Sequence, residues 1–150
     1  GYDVDRYSVP LGQGDAGFEL AKQAIRDWVP FNLSWVNVFP QSQPVQGEMA
    51  AVLARVCGLW WTNVSRVIYT VDEPDSFGFA YGTLPIHAEM GEELFLVERS
   101  GEHGEVTYRI LAFSKPGHWL ARLGYPLSRS AQRRFAAGSI DAMRAATAAR

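Results

Sequence analysis

The segment FGFAYGTLPIHAEMGEELFLVER, residues 77–99, contains two strand-like runs joined by a short stretch that holds a proline, a histidine and a glycine. Side chains alternate between the two faces of a strand, so the first run places its bulky residues on one face and its smallest residues on the other. Small residues at alternate positions permit close approach of a helix, a neighbouring backbone or a ligand. The segment therefore predicts a hairpin. Its bulky face comprises Phe77, Phe79, Tyr81 and Thr83, and its flat face comprises Gly78, Ala80, Gly82 and Leu84.

The loop of this hairpin, residues 85–92, is too long for a two-residue turn and is a place where function can reside. His87 and Glu92 are its candidate acid–base pair, and these two residues are the catalytic candidates of the chain. If Glu92 and Glu93 both lie in a strand, they point to opposite faces, so only one can join His87. Two ligands are too few for zinc or iron, so no metal site is predicted. A purely structural loop, held by hydrogen bonds of His87 and one of the two glutamates, remains the other interpretation.

The elements on either side of the hairpin follow a simple order. Residues 5–14 predict a short strand, and AGFELAKQAIRDW, residues 16–28, predicts a helix with Asp15 as its N-cap and Pro30 as its stop. Residues 32–114 read as about six strands, with Gly58 as a bulge or a break. Residues 116–150 predict a long amphipathic helix, kinked or split by Gly124 and Pro126. Its apolar positions are Leu120, Leu123, Leu127, Ala131, Phe135, Ile140 and Met143.

This order predicts an α+β fold in which a curved antiparallel sheet of six to seven strands grips the long C-terminal helix. A meander of that length curls, and its apolar face needs a cover that only the terminal helix is long enough to supply. The chain has 150 residues and no break in composition, so residues 1–150 are expected to form a single domain. Such a helix-grip arrangement often leaves an apolar cavity between sheet and helix, and the 13% aromatic content suits its lining.

Composition excludes several classes of protein. The single cysteine, Cys57, rules out an intrachain disulfide and favours a reducing, cytoplasmic location. Cys57 itself is expected to be buried as a small apolar residue. The first residues lack the pattern of a signal peptide, and no apolar run approaches the ~18 residues of an integral membrane segment. No phosphate loop, nucleophile elbow or zinc spacing is present, so no cofactor is predicted.

Charge is unevenly distributed along the chain. The formal net charge is −2, yet residues 115–150 carry seven basic residues and one acidic residue. This basic helix face is either solvated or paired with acidic strand residues, or it is a surface for phosphates, nucleic acid or a membrane. Nucleic acid is not an expected partner, because the net charge is negative and the strand aromatics lack a basic face.

Four segments resemble, in order, a bacterial and plant family catalogued as DUF1990, a domain of unknown function. The most specific is FAYGTLP.H...GEE.F.VE within residues 79–98, and the resemblance covers nearly the whole chain. It implies a family but no activity. The order of elements is also similar to the START-like helix-grip superfamily, many members of which bind lipids or other hydrophobic small molecules, while some are cyclases or hydrolases. The other three segments are GLWWTNVSRVIYTVDEP, ILAFSKPGHWLARLGYP and QRRFAAGSIDAMR.

Three residues outside the hairpin complete the candidates for a ligand site. Trp60 and Trp61 are neighbours in an extended segment, so one faces inward and the outward one can meet a ligand, a lipid or a partner. Ordinary packing under the first helix or at a sheet edge is the other interpretation. Arg66 lies mid-strand and is either solvated or, if inside, paired with a carboxylate or an anionic ligand. The candidate ligand-binding residues are Tyr81, Thr83, His87, Glu92, Glu93, Trp60, Trp61 and Arg66.

Three functions are compatible with these patterns. The first is a non-enzymatic module that binds a hydrophobic or amphipathic small molecule, or a lipid, between the sheet and the C-terminal helix. The second is an enzyme that acts on a small apolar substrate through polar groups at the cavity rim. The third is a membrane-surface or protein-interaction module that uses the basic C-terminal helix.

Overall fold

The fold, taken from a computed structural model, is described for residues 3–40, 42–83, 89–116 and 125–148, and for their side chains except those of 3, 83, 89, 90, 114–116 and 125–128. These residues form seven strands, two α-helices and one short 3-10 helix. The elements are β1 (Asp3–Gln13), α1 (Gly14–Arg26), the 3-10 helix (Val29–Phe31), β2 (Val36–Pro40), β3 (Met49–Val56), β4 (Leu59–Glu73), β5 (Ser76–Thr83), β6 (Glu89–Ser100), β7 (Glu105–Pro116) and α2 (Tyr125–Thr147).

All seven strands belong to one antiparallel sheet with the order β1-β7-β6-β5-β4-β3-β2. Strands β2 to β7 form a continuous meander, and β1 returns to pair with β7. α1 and the 3-10 helix connect the two edge strands, β1 and β2, and α2 packs with them on the concave face. This curved sheet around a C-terminal helix confirms the predicted α+β helix-grip class.

α1 is held on the sheet by an apolar stripe. Its buried residues recur at the spacing expected for one face of a helix, and they are Phe18, Ala21, Ala24 and Ile25. α1 ends at Arg26, ahead of Pro30, whose ring prevents a helix from continuing. The predicted strand–helix start of the chain is therefore confirmed.

The predicted N-cap at Asp15 is wrong. Gln13 occupies the cap position without a side-chain hydrogen bond, and Asp15 lies in the first turn of α1. Its carboxylate pairs instead with Arg99 of β6 at 2.6 Å, and Arg99 also contacts Asp75 at 3.1 Å. The Arg99 guanidinium lies 4.7 Å from the centre of the Phe18 ring. A half-buried arginine needs such carboxylate partners, and this need takes precedence over capping.

The β3–β4 connection confirms one expectation and contradicts another. Gly58 marks the predicted break, because Cys57 and Gly58 form a tight turn between β3 and β4. Both residues have positive φ, 53° and 74°, as a two-residue type I′ hairpin turn requires. The expectation that Cys57 is buried is wrong: the turn places it on the surface, where its side chain is exposed.

The β5–β6 hairpin confirms the alternation predicted for its first strand. Phe79 is fully buried on the concave face, while a Cβ atom added to Gly78 would lie 2.1 Å from the carbonyl oxygen of Phe95. The close neighbour that Gly78 permits is therefore the backbone of β6. The predicted extent of the loop is wrong, since β6 begins at Glu89 and already includes Glu92 and Glu93.

α2 covers the concave face with the residues predicted for its apolar side. Met143 is fully buried, and Phe135 and Ile140 are partly buried against the core. α2 begins at Tyr125, so Pro126 lies in its first turn, where a missing N–H costs little, and the predicted kink or split of a helix over residues 116–150 stays a prediction. Gly124 and the side chains of Leu120, Leu123 and Leu127 lie outside the described residues.

Aromatic rings occupy the space between the centre of the sheet and α2. Phe31 of the 3-10 helix lies 5.2 Å from Phe95 and 5.2 Å from Phe135, measured between ring centres. Phe79 lies 5.5 Å from Phe95 and 5.0 Å from Trp28. We call these five residues the aromatic cluster. Fully burying a phenylalanine side chain stabilises a fold by roughly 1.5–3 kcal/mol, and Phe31, Phe79 and Phe95 are buried to this extent.

Candidate functional site

Two polar side chains, Tyr81 and Glu93, meet on the concave face of the sheet. They lie directly opposite each other on β5 and β6, where cross-strand side chains are close neighbours. The Tyr81 hydroxyl donates a hydrogen bond to Oε1 of Glu93 at 3.3 Å, longer than the ~2.7–2.8 Å that is usual for such bonds. We call these two residues the acid–phenol pair.

Strand alternation places the acid–phenol pair beside the aromatic cluster. Tyr81 is two residues beyond Phe79 and Glu93 is two residues before Phe95, and both phenylalanines are completely buried on the concave face. The Tyr81 ring packs against Phe31 at 5.5 Å and against Phe95 at 5.7 Å, measured between ring centres. The pair therefore forms a polar edge on an apolar wall, with both of its side chains only partly exposed.

Burial changes the protonation of both members of the pair. Desolvation raises the pKa of Glu93 to about 7; the hydrogen bond from Tyr81 opposes this rise, and the charge of Asp5 adds to it. Desolvation also raises the pKa of Tyr81 well above its usual value, helped by the Glu93 carboxylate. Tyr81 therefore remains a hydrogen-bond donor at any physiological pH, whereas Glu93 changes its charge near neutrality.

An ion pair connects α2 to the first strand next to the acid–phenol pair. Arg129 donates two hydrogen bonds to the Asp5 carboxylate, one of them from Nη2 to Oδ1 at 2.7 Å, and a third to Oε1 of Gln132 at 2.8 Å. The hydrogen bonds from Arg129 lower the pKa of Asp5. Asp5 of β1 pairs with Ala112 of β7, and Ala112 also pairs with Glu93 of β6. The two carboxylates therefore lie in one row across the three strands.

A second, fully buried contact connects the centre of α2 to the sheet. The hydroxyl groups of Tyr108 and Ser139 lie 2.8 Å apart and form a hydrogen bond. Burial raises the pKa of Tyr108 far above its usual value, so this phenol stays neutral. The contact holds α2 at a fixed height above β7 and gives a buried polar group the partner it needs.

The other candidates in the hairpin do not all join the acid–phenol pair. Glu92 is exposed and pairs with Gly82, on the opposite face of the sheet from Glu93. The backbone of Thr83 belongs to β5, but its side chain lies outside the described residues, as does His87 altogether. The proposed His87–Glu92 pair therefore stays a prediction, and within the described residues it is Glu93 that approaches a second candidate.

The candidates in β4 lie away from the acid–phenol pair. Arg66 is exposed, and it pairs with Gly82 on the convex side of the sheet. Trp60 and Trp61 are 51% and 53% exposed near the β3–β4 turn, and the indole of Trp61 donates to the carbonyl of Val56 at 3.3 Å. Ordinary packing does not cover either indole, which leaves both rings accessible.

Sequence reasoning did not anticipate the Asp5–Arg129 and Tyr108–Ser139 contacts. One signal was present: Asp5 shares its strand face with Tyr7 and Val9, which pack on the core, so an inward carboxylate was implied. Its partner, by contrast, lies 124 residues away along the chain, a separation that no local pattern spans.

The opposite end of the sheet has an open depression of about 440 Å³ around Arg99. Because Asp15 and Asp75 already bind this arginine, the depression is explained by a structural ion-pair network. Within the described part of the chain, no group of three His, Cys, Asp or Glu residues is placed to hold a metal ion. No helix in the same part is long and apolar enough to cross a membrane.

Comparison with known protein families identifies the family of this chain. The model of the family described as "Domain of unknown function (DUF1990)" matches residues 1–142. The chain belongs to the DUF1990 family. Among similar proteins, a UPF0548 protein of Dictyostelium discoideum is 36% identical over 154 residues, covering 95% of this chain and 71% of the relative. A UPF0548 protein of Deinococcus radiodurans is 41% identical over 144 residues, covering 87% of this chain and 71% of the relative.

Solved structures with a similar fold are distant in sequence. A hypothetical protein from Helicobacter pylori superposes with a TM-score of 0.67 at 11% identity, covering 98% of this DUF1990 chain and 88% of that chain. A norcoclaurine synthase point mutant from Thalictrum, in complex with a transition-state analogue, gives 0.66 at 11% identity, with coverages of 98% and 94%. At these identities the comparisons establish the helix-grip fold alone.

Proposed function

We propose that this DUF1990 domain binds an amphipathic small molecule, with its polar end at the acid–phenol pair and its apolar body against the adjoining aromatic wall. The observation that carries the proposal is a half-buried carboxyl group whose hydrogen bond from Tyr81 is long, at 3.3 Å. Binding sites are mostly apolar with a few convergent polar groups, and Tyr81, Glu93 and the neighbouring rings have this composition. The cavity itself remains a prediction for the concave face beyond the aromatic cluster.

The protonation of the pair defines the polar end of the ligand. Tyr81 is a permanent donor, and Glu93 is half protonated near a pH of about 7. A ligand with a hydroxyl group or an uncharged amine satisfies both, because either group donates to the carboxylate and accepts from the phenol. The complex of the norcoclaurine synthase with a transition-state analogue supports the proposal to the extent that a fold of this kind accommodates a small molecule.

Native mass spectrometry of freshly purified protein tests whether a ligand is carried from the cell. A direct titration uses the neutral fluorescent amine N-phenylnaphthylamine. We expect Tyr81→Phe and Glu93→Gln each to weaken its binding by roughly three- to tenfold, the effect of one lost hydrogen bond. Arg66→Ala, on the convex side of the sheet, is the control and should leave the affinity unchanged. Equal affinities for all four proteins would contradict the proposal.

A second candidate function is an enzyme that acts on a small apolar substrate through the same pair. The observation that favours it is the pKa of Glu93, about 7, which suits a general acid or base at neutral pH. To test it, any carried ligand is extracted, returned to ligand-free protein and followed by mass. A mass change with the wild type that Glu93→Gln abolishes would support catalysis, while an unchanged mass would leave binding as the function.

A further inference from the structure

Large apolar side chains are exposed mainly in one part of the molecule. Ten of them are exposed among the described residues, and eight of these ten fall between residues 39 and 69, in β2, β3, β4 and their connections. Such a concentration differs from scattered surface hydrophobics and marks an interaction surface. The eight residues are Phe39, Val45, Met49, Leu59, Trp60, Trp61, Ile68 and Tyr69.

Three of the eight residues lie at the tip of the β3–β4 hairpin, residues 55–61, which we call the hairpin tip. β2 pairs with β3 only as far as Ala54, and within the described residues β5 pairs with β4 only from Ser65. Within the described residues, therefore, no strand pairing with β2 or β5 reaches the hairpin tip, and its first residue, Arg55, donates a backbone hydrogen bond to the carbonyl of Trp35 at 2.8 Å. Its residues Leu59, Trp60 and Trp61 are 60%, 51% and 53% exposed.

The hairpin tip presents an indole on each of its two faces. Trp61 pairs with Ala54, which packs on the concave core, whereas Trp60 pairs with Arg55 on the other face. A protein that docks flat on a sheet covers one face only. A lipid interface, by contrast, surrounds a projecting tip, and tryptophan is the side chain that favours the headgroup level of a bilayer.

Charge in this part of the chain suits an anionic lipid surface. Residues 49–71 contain two arginines, Arg55 and Arg66, and no carboxylate, although the chain as a whole has a net charge of −2. Both arginines are exposed, and Arg55 lies in the hairpin tip itself. Basic residues next to a membrane are attracted by anionic headgroups, and nothing acidic in this segment opposes that attraction.

We infer that the hairpin tip anchors the domain in the interface of a membrane that contains anionic lipids. Leu59, Trp60 and Trp61 enter the boundary between headgroups and acyl chains, and Arg55 contacts the headgroups. This surface differs from the basic face of α2, where Arg129 is bound to Asp5 and the Arg134 guanidinium lies 4.4 Å from the Trp35 ring centre. The inference stands independently of any ligand at the acid–phenol pair.

Flotation of the purified protein with lipid vesicles tests the inference. The probes are vesicles of phosphatidylcholine alone and of phosphatidylcholine mixed with phosphatidylglycerol. We expect the wild type to float with the mixed vesicles and Trp60→Ser and Trp61→Ser each to weaken binding on the order of tenfold. Arg55→Gln should weaken binding roughly fivefold, and only to the mixed vesicles, because this is the contribution of one basic residue at an anionic surface.

The matched control is the double variant Val4→Ser with Phe113→Ser, which removes an exposed apolar cross-strand pair at the other edge of the sheet. It should float like the wild type. The mutated side chains are all exposed, and far-ultraviolet circular dichroism verifies that each variant is folded. The inference is overturned if the wild type does not bind mixed vesicles, if the control loses as much binding as the tryptophan variants, or if Trp60→Ser alone matters. In the last case, light scattering can show whether the wild type is a dimer and Trp60→Ser a monomer. That outcome would assign the convex face of the hairpin tip to contact with a second copy of the chain.

Discussion

A single residue step separates the two glutamates of β6 and gives them opposite environments. Glu93 faces the aromatic cluster and shares a hydrogen bond with Tyr81, while Glu92 is exposed on the other side of the sheet. Burial raises the pKa of Glu93 to about 7, so the folded protein holds a proton there that the unfolded chain releases at lower pH. Glu93 is therefore a probe of the site, and its neighbour Glu92 serves as the control.

Replacing Glu93 by glutamine should change how stability depends on pH. The folded-state pKa of Glu93 is raised from 4.5 to about 7, so the free energy of unfolding falls as the pH rises through this interval and stays low above it. The full loss is on the order of 3 kcal/mol. Urea unfolding of Glu93→Gln should lack this loss and show a gain over wild type of about 1–3 kcal/mol near pH 8 that shrinks near pH 5. Glu92→Gln should follow the wild type at both pH values; parallel curves for all three proteins would disprove the assigned environment.

At the scale of elements, two features determine where the site lies. Neighbouring strands approach each other closely, and a helix packs across them. β5 alternates aromatic and small residues, so its concave side supplies rings, while Gly78 on its convex side permits the close approach of the β6 backbone. α2 then places Phe135 over Phe31 and Phe95. Both arrangements follow from period-two and period-3.6 patterns that are local to each element.

Adding one methyl group to β5 should disturb the sheet, whereas adding it to α1 should not. The Cβ of alanine at position 78 would lie 2.1 Å from the Phe95 carbonyl oxygen and 2.9 Å from Leu96 Cα, so backbone must move. We expect Gly78→Ala to cost about 1–3 kcal/mol or more. At Gly17 in α1 the nearest atom is a Val106 methyl at 3.9 Å, so Gly17→Ala should stabilise by up to about 1 kcal/mol. If the denaturation midpoints of the two variants shift in the same direction, the predicted difference between positions 78 and 17 is wrong.

Removing the ring that α2 contributes to the core should destabilise the whole domain. Phe135 contacts Phe31 at 5.2 Å and Phe95 at 6.2 Å, measured between ring centres. Phe135→Ala is expected to lower the free energy of unfolding on the order of 3 kcal/mol, because a cavity forms between sheet and helix. Asp141→Ala, at an exposed position of the same helix, should change it by less than about 0.5 kcal/mol. An unchanged thermal midpoint for Phe135→Ala would show that the ring is not part of the core.

At the scale of the whole molecule, the fold is closed by contacts between its first and last elements. β1 pairs with β7 along its length, and Asp5 binds Arg129 at the beginning of α2. α1, the 3-10 helix and α2 share one core with the sheet. The single domain expected for residues 1–150 stays a prediction.

The chain should accordingly unfold in one step. Far-ultraviolet circular dichroism reports the sheet and helices, whereas tryptophan fluorescence sums the signals of five tryptophans, among them Trp28, which is 5% exposed in the aromatic cluster. Because Trp28 lies in the core that the sheet and helices share, we expect the two urea transitions to coincide. A fluorescence transition that precedes the loss of secondary structure would indicate that the α1 region melts independently.

The sequence by itself determined the elements whose patterns are local. Alternation in residues 77–82, the apolar stripe of α1 and the spacing of Phe135, Ile140 and Met143 predicted the correct faces, and the order of strands and helices predicted the class. These patterns succeed because a side chain's direction depends only on the periodicity of its own strand or helix.

Only the tertiary structure decided where the site lies and what is exposed. The start of β6 at Glu89, and hence the choice of Glu93 over Glu92 as the partner of Tyr81, depends on the register with β5 and β7. Cys57 is exposed because a turn, rather than a continuous strand, follows β3. Asp5 finds Arg129 because the sheet curls until β1 reaches α2. Register and curvature arise from contacts between residues far apart in the chain, so no window of sequence contains them.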